Sequence, residues 1–375
     1  MLSVQQQPKI LMIATHPRST STALERAFLT RKDLVCIHEP FGEAFYYGPE
    51  RMSDRYSDKE CSGSDYSSTD FNSVVNDIME KARSAPSSPQ QQTSSSRNEQ
   101  PSSSPQLLQD NTTVPTIVIK DMAQYFIPPK EHGLAGKNHI VAKSLEDFVL
   151  PVSTDNGTKS HGNDVLPVPN PTLLPEEFLT SMRYVFLIRP PHLSVPSYYR
   201  CCIPPQSNET GFDHYRSSEA GYRELRILYD YVSALAARTG SVKQPIIVDS
   251  LDLIANPEPL VQRICQQGDF PFDEAMLSWG ENAAYETQLF EKWKGFHNDA
   301  LSSTGFKRSS TPGAPAREVQ QADTTKDDFV IDYAAWRNKW NQRFNNDERI
   351  VSDIENSVRE HMDDYLYLRS RRMVV

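Results

Sequence analysis

The stretch from Ile10 to Leu24, ILMIATHPRSTSTAL, decides the fold. It starts as an apolar run of strand length, turns through a Pro-Arg pair, and continues into four consecutive hydroxyl residues where a helix is predicted to begin. A helix N-terminus at the end of a buried strand presents unpaired N–H groups and a partial positive charge. The pattern therefore predicts a phosphate- or sulfate-binding loop. Its expected donors are Arg18, Ser19, Thr20, Ser21 and Thr22. An ordinary capped turn is the alternative, because Ser and Thr are favoured N-caps.

The same order of apolar run and then helix recurs along the chain. The apolar runs are Lys9–Ala14, Leu34–Ile37, Thr116–Ile119, Asn138–Ala142, Tyr184–Ile188 and Ile246–Val248. They are uniformly apolar, as expected for strands covered on both faces. The predicted helices are Ser21–Thr30, Leu193–Tyr199, Ser218–Thr239 and Pro257–Gln267, and the chain from about Asp327 reads as helical throughout. Strands that alternate with helices predict an α/β fold with a central parallel sheet.

Three segments of biased composition interrupt this pattern. Residues 81–114 are dominated by Ser, Gln and Pro, and residues 151–171 and 309–325 are similar. Such stretches bury too little apolar surface to offset the entropy lost on ordering. We expect one domain over residues 1–375, with a disordered insertion at 81–114, a loop insertion at 151–171 and a disordered loop at 309–325.

Composition limits the classes of partner. The 375 residues carry a formal net charge of -10, which is opposite to that of a general binder of nucleic acid or anionic membranes. No apolar run is long enough to span a bilayer, and the N-terminus lacks the features of a signal peptide, so a cytoplasmic location is predicted. The five cysteines are scattered and contain no CxxC pair, so neither a disulfide framework nor a metal site is predicted.

The loop after the first apolar run does not match the standard phosphate-binding loop of nucleotide-hydrolysing proteins. It has neither the glycines nor the lysine of G-x-x-x-x-G-K-[ST], which disfavours a kinase or ATPase. Its Pro-Arg-Ser-Thr-Ser-Thr-Ala-Leu sequence resembles the 5′-phosphosulfate loop of P-loop sulfotransferases, in particular a subset often labelled branched-chain aminotransferase-like. The resemblance implies a three-layer fold like that of P-loop NTPases and 3′-phosphoadenosine-5′-phosphosulfate (PAPS) as co-substrate, without a metal.

A second pair of residues fits the 3′-phosphate of that donor. Arg189 ends an apolar run and Ser197 follows eight residues later, the spacing of the family's 3′-phosphate site. A strand-terminal Arg and a hydroxyl on the next helix converge, and Arg suits bidentate contact with phosphate. The chain has Pro190 and Pro191 where the family often has Asp, and an Arg that merely anchors the loop is the alternative.

Weaker resemblances extend along the chain. Lys120 and Asp121 resemble the family's strand ending in Lys-Asp, and Lys120 is expected to stabilise charge on the transferred group. Gly305 and Lys307 resemble part of the late glycine loop that covers the nucleotide, although the second glycine is missing.

The proton acceptor is predicted next to the second apolar run. Glu39 is the first choice, because relatives that resemble this chain have a Glu there, and His38 is the second. His16, His192 and His297 have no partner visible in the sequence. Phe41, Phe45, Tyr46, Tyr47, Tyr125 and Phe126 could line an acceptor pocket, although such aromatic residues are more often core.

Together these observations predict a sulfotransferase that acts on a hydroxyl of a small molecule and could form a homodimer. Two other classes remain open. One is a P-loop protein that binds a nucleotide without transferring a group, and the other is a small-molecule kinase with a degenerate loop.

Overall fold

Five strands form one parallel sheet. The structure, a computed structural model, describes residues 9–84, 116–128, 169–240, 243–280, 284–306 and 329–375. The strands are β1 (Lys9–Thr15), β2 (Leu34–His38), β3 (Thr116–Met122), β4 (Met182–Ile188) and β5 (Ile246–Asp249), in the order β2-β3-β1-β4-β5. Five of the six predicted strands are confirmed, and the sixth, at 138–142, lies outside the described residues.

Fourteen α-helices occur in the described part of the chain. They are α1 (Ser21–Leu29), α2 (Gly42–Tyr46), α3 (Asp58–Ser62), α4 (Phe71–Ser84), α5 (Glu176–Thr180), α6 (Pro191–Cys201), α7 (Ser207–Thr210), α8 (Tyr222–Thr239), α9 (Ser250–Ala255), α10 (Pro257–Gly268), α11 (Ala284–Phe290), α12 (Asn298–Leu301), α13 (Tyr333–Arg343) and α14 (Glu348–Arg369). The predicted helices correspond to α1, α6, α8 and α10, and the helical C-terminal part to α13 and α14. Among the described residues, no helix combines the length and hydropathy that a membrane crossing requires.

Helices cover both faces of the sheet. Successive side chains of a strand point to opposite faces, and in β1 Leu11 and Ile13 enter one apolar core while Ile10 and Met12 enter the other. The first core is closed by α1 and α10, and the second by α6, α8 and α14. The result is the three-layer α/β architecture that the sequence predicts.

A buried ionic contact fixes α14 to the end of β5. Asp249, which is fully buried, accepts hydrogen bonds from Arg369 at 2.8 Å and from the Tyr365 hydroxyl at 2.7 Å. It also caps α9 through the N–H of Leu251. The C-terminal helix is therefore joined to the edge of the sheet where the strands end.

The predicted insertions lie mostly outside the described residues. Helix α4 continues to Ser84, so the first insertion begins later than residue 81. Residues 85–114, 151–168 and 309–325 are not described, and their disorder stays a prediction.

Parallel pairing places the carboxyl ends of all five strands at one edge, with Thr15 beside Met122 and Leu187, and His38 beside Lys120. Open α/β sheets bind their ligands at this edge.

Candidate anion-binding and transfer site

The loop after β1 leads into a helix whose first N–H groups have no side-chain cap. Thr20, at the N-cap of α1, has a φ of 77°, and its side chain makes no capping hydrogen bond. Ser19 is buried and its hydroxyl is hydrogen-bonded to that of Thr15, which also donates to the carbonyl of Leu187 at 3.0 Å. Capping by the Thr20 hydroxyl therefore does not account for this loop, and a helix start of this kind is a common binding site for anions.

Arg18, Arg189 and Ser197 come together beside this helix start. Arg18 Nε donates to Ser197 Oγ at 3.0 Å, and Arg189 donates from its guanidinium to the Arg18 carbonyl at 2.8 Å. The backbone N–H of Arg189 donates to His16 Nε2 at 3.0 Å, which joins the ends of β1 and β4. Pro191 occupies the first turn of α6, where proline is favoured, so the Pro-Pro sequence is compatible with the helix that carries Ser197.

A buried cluster of charged groups lies at the ends of β2 and β3. Lys120 forms an ion pair with Glu39 and lies 3.7 Å from Glu25 of α1. His38 Nδ1 is 2.8 Å from the carboxylate of Glu25, and the Tyr125 hydroxyl donates to Glu39 at 3.4 Å. Each of these five side chains is at most 5% exposed. Sequence reasoning named His38, Glu39 and Lys120, and the structure brings them together.

Charge pairing sets the protonation states of this cluster. Burial raises the pKa of Glu39, but the charge of Lys120, its hydrogen bond to the carboxylate and the charge of Lys292 act in the other direction, so that the pKa is below its usual value. Burial lowers the pKa of Lys120, and the carboxylates of Glu39 and Glu25 more than offset it, which leaves that pKa raised. Both groups are therefore charged at neutral pH, and Lys120 is a fixed cation at the sheet edge.

Residues 286–303 cover the loop and the charged cluster. The Phe296 carbonyl accepts a hydrogen bond from Arg18, and Asp299 accepts one from Arg18 NH2 at 3.0 Å. His297 Nδ1 is 2.9 Å from the Thr22 hydroxyl, and its ring centre is 5.0 Å from that of His38. Burial, followed by the charges of neighbouring groups, lowers the pKa of His297 well below its usual value, so the ring is neutral.

The aromatic residues predicted as walls of an acceptor pocket are mainly core. Phe41 and Phe126 are at most 1% exposed and contact each other edge to face, which confirms that these two are core residues. Phe45 also lines a cavity of about 520 Å³ together with Gln124 and Glu219. Its ring contacts that of Tyr125, so the cavity is one aromatic residue away from Glu39.

Among the described contacts, none connects Gly305 with the loop after β1 or with the buried charged cluster. Gly305 forms an isolated antiparallel bridge with Ser278, next to Trp279 and Phe306, and thus lies along the flank of α1 near Arg26. Lys307 lies outside the described residues.

Sequence reasoning missed Glu25, Lys292 and Asp299. Glu25 reads as an ordinary helix residue, yet it is 2% exposed and contacts His38 and Lys120. Lys292 donates to the Glu39 carbonyl and pairs with Glu43, and Asp299 pairs with Arg18 and Arg200. Apart from the contact of Glu25 with His38, these contacts join segments far apart in the chain. The only available signal for Glu25 was a charged residue among the apolar positions of α1.

An uncapped helix start, two arginines in contact and a buried lysine therefore lie at the carboxyl edge of the parallel sheet of this α/β protein. A family model described as a sulfotransferase domain matches residues 215–338. The chain is 29% identical over 211 residues to Sulfotransferase ppzF of Metarhizium rileyi (strain RCEF 4871), covering 54% of this chain and 56% of that protein. It is 28% identical, with the same coverage, to Sulfotransferase ppzF of Metarhizium majus (strain ARSEF 297). The family model and these relatives show that the chain is sulfotransferase-like.

Two further matches are more distant. The chain is 27% identical over 133 residues to Branched-chain-amino-acid aminotransferase-like protein 2 of Arabidopsis thaliana, covering 36% of this chain and 20% of that protein. The sulfotransferase domain from the Synechococcus PCC 7002 olefin synthase aligns with 72% of this chain and 77% of its own, at 12% identity and a TM-score of 0.32. The chain spans about half the length of the curated sulfotransferases it matches.

Proposed function

We propose that this protein transfers the sulfuryl group of PAPS to a hydroxyl of a small molecule. The observation that carries the proposal is the junction of Arg18, Arg189 and Ser197 beside the uncapped start of α1. An adenosine 3′-phosphate 5′-phosphosulfate carries two separate anionic groups. The proposed site offers two arginines and two helix starts, those of α1 and α6, for these groups.

The residues present fit the donor. The N–H groups of the first turn of α1, with Arg18 and the hydroxyls of Ser21 and Thr22, would hold the 5′-phosphosulfate. Arg189 and Ser197 would hold the 3′-phosphate, because Arg189 follows β4, Ser197 lies on the next helix, α6, and both contact Arg18. When bound, the donor supplies the sulfuryl group.

Lys120 and Arg18 would stabilise the charge that develops during transfer. Lys120 is held by Glu39 and Glu25 on neighbouring elements, and its charge is maintained by both carboxylates. A cation fixed in a water-poor site stabilises a developing negative charge more strongly than one in water.

The contacts favour His38 over Glu39 as the proton acceptor. Glu25 accepts the proton of His38 Nδ1, which leaves the lone pair on Nε2, and that atom has no hydrogen-bond partner among the described residues. Glu39, in contrast, is paired with Lys120 and has a lowered pKa. In this proposal Glu39 positions Lys120, and His38 takes the proton of the acceptor hydroxyl.

The test is ligand binding by the full chain. Thermal unfolding is measured with adenosine 3′,5′-bisphosphate, with 5′-AMP and with ATP. The bisphosphate at about 100 times its dissociation constant is expected to stabilise the fold by about 2.7 kcal/mol, while 5′-AMP stabilises less. No stabilisation by the bisphosphate would refute the proposal, and a larger effect of ATP would favour the kinase reading.

Transfer itself is tested by release of adenosine 3′,5′-bisphosphate from PAPS in the presence of a panel of phenols, alcohols and sterols. Turnover that depends on both the acceptor and Arg189 supports the assignment. Tight binding of the bisphosphate without turnover on any acceptor would instead favour a binding protein that has lost transfer.

A further inference from the structure

Three buried polar atoms without a hydrogen-bond partner lie in one small region. They are His38 Nε2, His297 Nε2 and Glu25 Oε1, and their side chains belong to β2, the segment before α12, and α1. Each of these residues is at least nine-tenths buried. Leaving one buried polar atom unpaired costs about 1–3 kcal/mol, so a group of three calls for an explanation.

The side chains around these atoms form a compact set of metal-ligating groups. One ligand atom each from His38, Glu39 and His297 lies within 4.8 Å of the other two, and His38 Nε2 is 3.9 Å from Glu39 Oε1. Tetrahedral coordination at ~2.0–2.1 Å brings ligand atoms to about 3.3 Å from one another. Small side-chain rotations would therefore be enough to close the set around one ion.

The outer nitrogen of each imidazole already has a partner. His38 Nδ1 contacts the Glu25 carboxylate at 2.8 Å, and His297 Nδ1 contacts the Thr22 hydroxyl at 2.9 Å. A carboxylate or hydroxyl on the far ring nitrogen is the usual support of a metal-bound histidine, because it fixes the ring and its tautomer. The same contacts turn both Nε2 atoms into the shared space.

We propose that His38, Glu39 and His297 bind a divalent transition-metal ion, with zinc as the biological ion and Glu25 as the residue that positions His38. Two imidazoles and one carboxylate are a ligand set that suits zinc and cobalt. The sequence predicted no metal, because no local spacing connects His297 with the His38-Glu39 pair.

Lys120 competes for one of these ligands and has an alternative partner. Its ammonium pairs with Glu39 Oε1, so metal binding requires it to move. Glu25 Oε2 is 3.7 Å from the Lys120 nitrogen, and Glu25 Oε1 has no hydrogen-bond partner among the described residues. A shift of Lys120 toward Glu25 would therefore satisfy the third unpaired atom and free Glu39 for the ion.

The proposed metal site is not part of the proposed transfer reaction. A bound metal would prevent one step of that reaction, the acceptance of a proton by His38. The lone pair of His38 Nε2 cannot both bind zinc and accept a proton from an acceptor hydroxyl. If His38 is the base, zinc at this site inhibits transfer. The binding claim itself does not depend on sulfuryl transfer.

The visible absorption of bound Co²⁺ measures metal binding directly. The full chain, freed of metal with a chelator, is titrated with Co²⁺ while visible absorption is recorded, and Zn²⁺ is then added as competitor. We expect one saturating equivalent of Co²⁺ with tetrahedral-type bands that Zn²⁺ abolishes. His297→Ala should remove the bands, and Glu25→Gln should weaken binding by about 10- to 100-fold.

The matched control is His214→Ala, because His214 is exposed and outside the cluster. Circular dichroism without metal establishes that each variant is folded, and Thr22→Val replaces His297→Ala if the latter is not. Absent saturable bands in the parent chain, or bands that His297→Ala leaves unchanged, would overturn the metal site. Binding of adenosine 3′,5′-bisphosphate in the same metal-free samples tests the proposed function separately.

Discussion

Arg18 Nε and Ser197 Oγ are joined by a hydrogen bond of 3.0 Å, between the loop after β1 and the helix after β4. The contact links the two parts of the proposed nucleotide site. Arg189 adds a second link through the Arg18 carbonyl. A site assembled in this way loses little conformational freedom on binding, which favours affinity for a rigid, doubly charged nucleotide.

Arg189→Ala is expected to weaken binding of adenosine 3′,5′-bisphosphate by about 10- to 100-fold. The change removes a charged hydrogen-bond donor, worth about 1.5–3 kcal/mol, and also the contact that holds the Arg18 carbonyl. Isothermal titration calorimetry measures the loss. Arg183→Ala is the control, because Arg183 lies at the other end of β4 and pairs with Asp269. Equal losses for both variants would contradict the assignment of Arg189.

Asp299→Asn is expected to tighten binding of the same nucleotide by up to about five-fold. The Asp299 carboxylate occupies Arg18 NH2 and also pairs with Arg200. Because this carboxylate is half-exposed, its pairing is worth only about 0–1 kcal/mol. Asp33→Asn removes a comparable pair with Arg31, far from the loop, and should leave the affinity unchanged. Weaker binding by Asp299→Asn would show that Asp299 supports the site rather than competing for it.

His38→Gln and Glu39→Gln are expected to have different effects. His38→Gln should lower kcat by about 10²–10⁴-fold on any acceptor found by screening, with bisphosphate affinity unchanged. Glu39→Gln leaves Lys120 buried with a weaker partner, so its main effect should be a loss of stability, about 3–5 kcal/mol. Urea unfolding and turnover of both variants separate the roles. A His38→Gln enzyme with full kcat would exclude His38 as the base.

Acid is expected to destabilise the fold through buried histidines. Burial is the main cause that lowers the pKa of His16 and of His192 from 6.5 to about 3. Between these values the unfolded chain binds a proton that the folded chain does not. Each histidine therefore makes its full contribution to the free energy of unfolding above pH 6.5. This contribution falls by about 1.4 kcal/mol per pH unit as the pH decreases toward 3.

Urea unfolding between pH 7 and pH 4.5 measures this dependence. His192→Phe keeps an aromatic ring against Trp336 and should reduce the pH slope by about one proton. His214→Ala, at an exposed position, is the control for loss of a histidine. An unchanged slope in His192→Phe would show that His192 is protonated in the folded state.

Local pattern was enough to predict the sheet and the turn from β1 into α1. The strands are uniformly apolar because helices cover both faces, and the loop combines hydroxyls with an Arg at a strand end. The spacing of Arg189 and Ser197 also lies within one strand–helix unit. The contacts of Glu25, His297 and Asp299 were not predictable in this way. Those of His297 and Asp299 depend on how residues 286–303 fold back over α1 and the loop before it, and those of Glu25 depend on how α1 packs against the ends of β2 and β3. No periodicity within these segments predicts such contacts.

The positive φ angles of Arg18 (62°), Thr20 (77°) and Glu39 (42°) have a consequence for engineering this protein. Non-glycine residues in the left-handed region cost of order 1–3 kcal/mol each, and these three lie at the proposed site. Glycine at Thr20 would relieve that cost and raise the melting temperature. A search for thermostable variants that ignores activity would thus select glycines in the nucleotide loop, and the selected proteins would be more robust but less able to hold the donor.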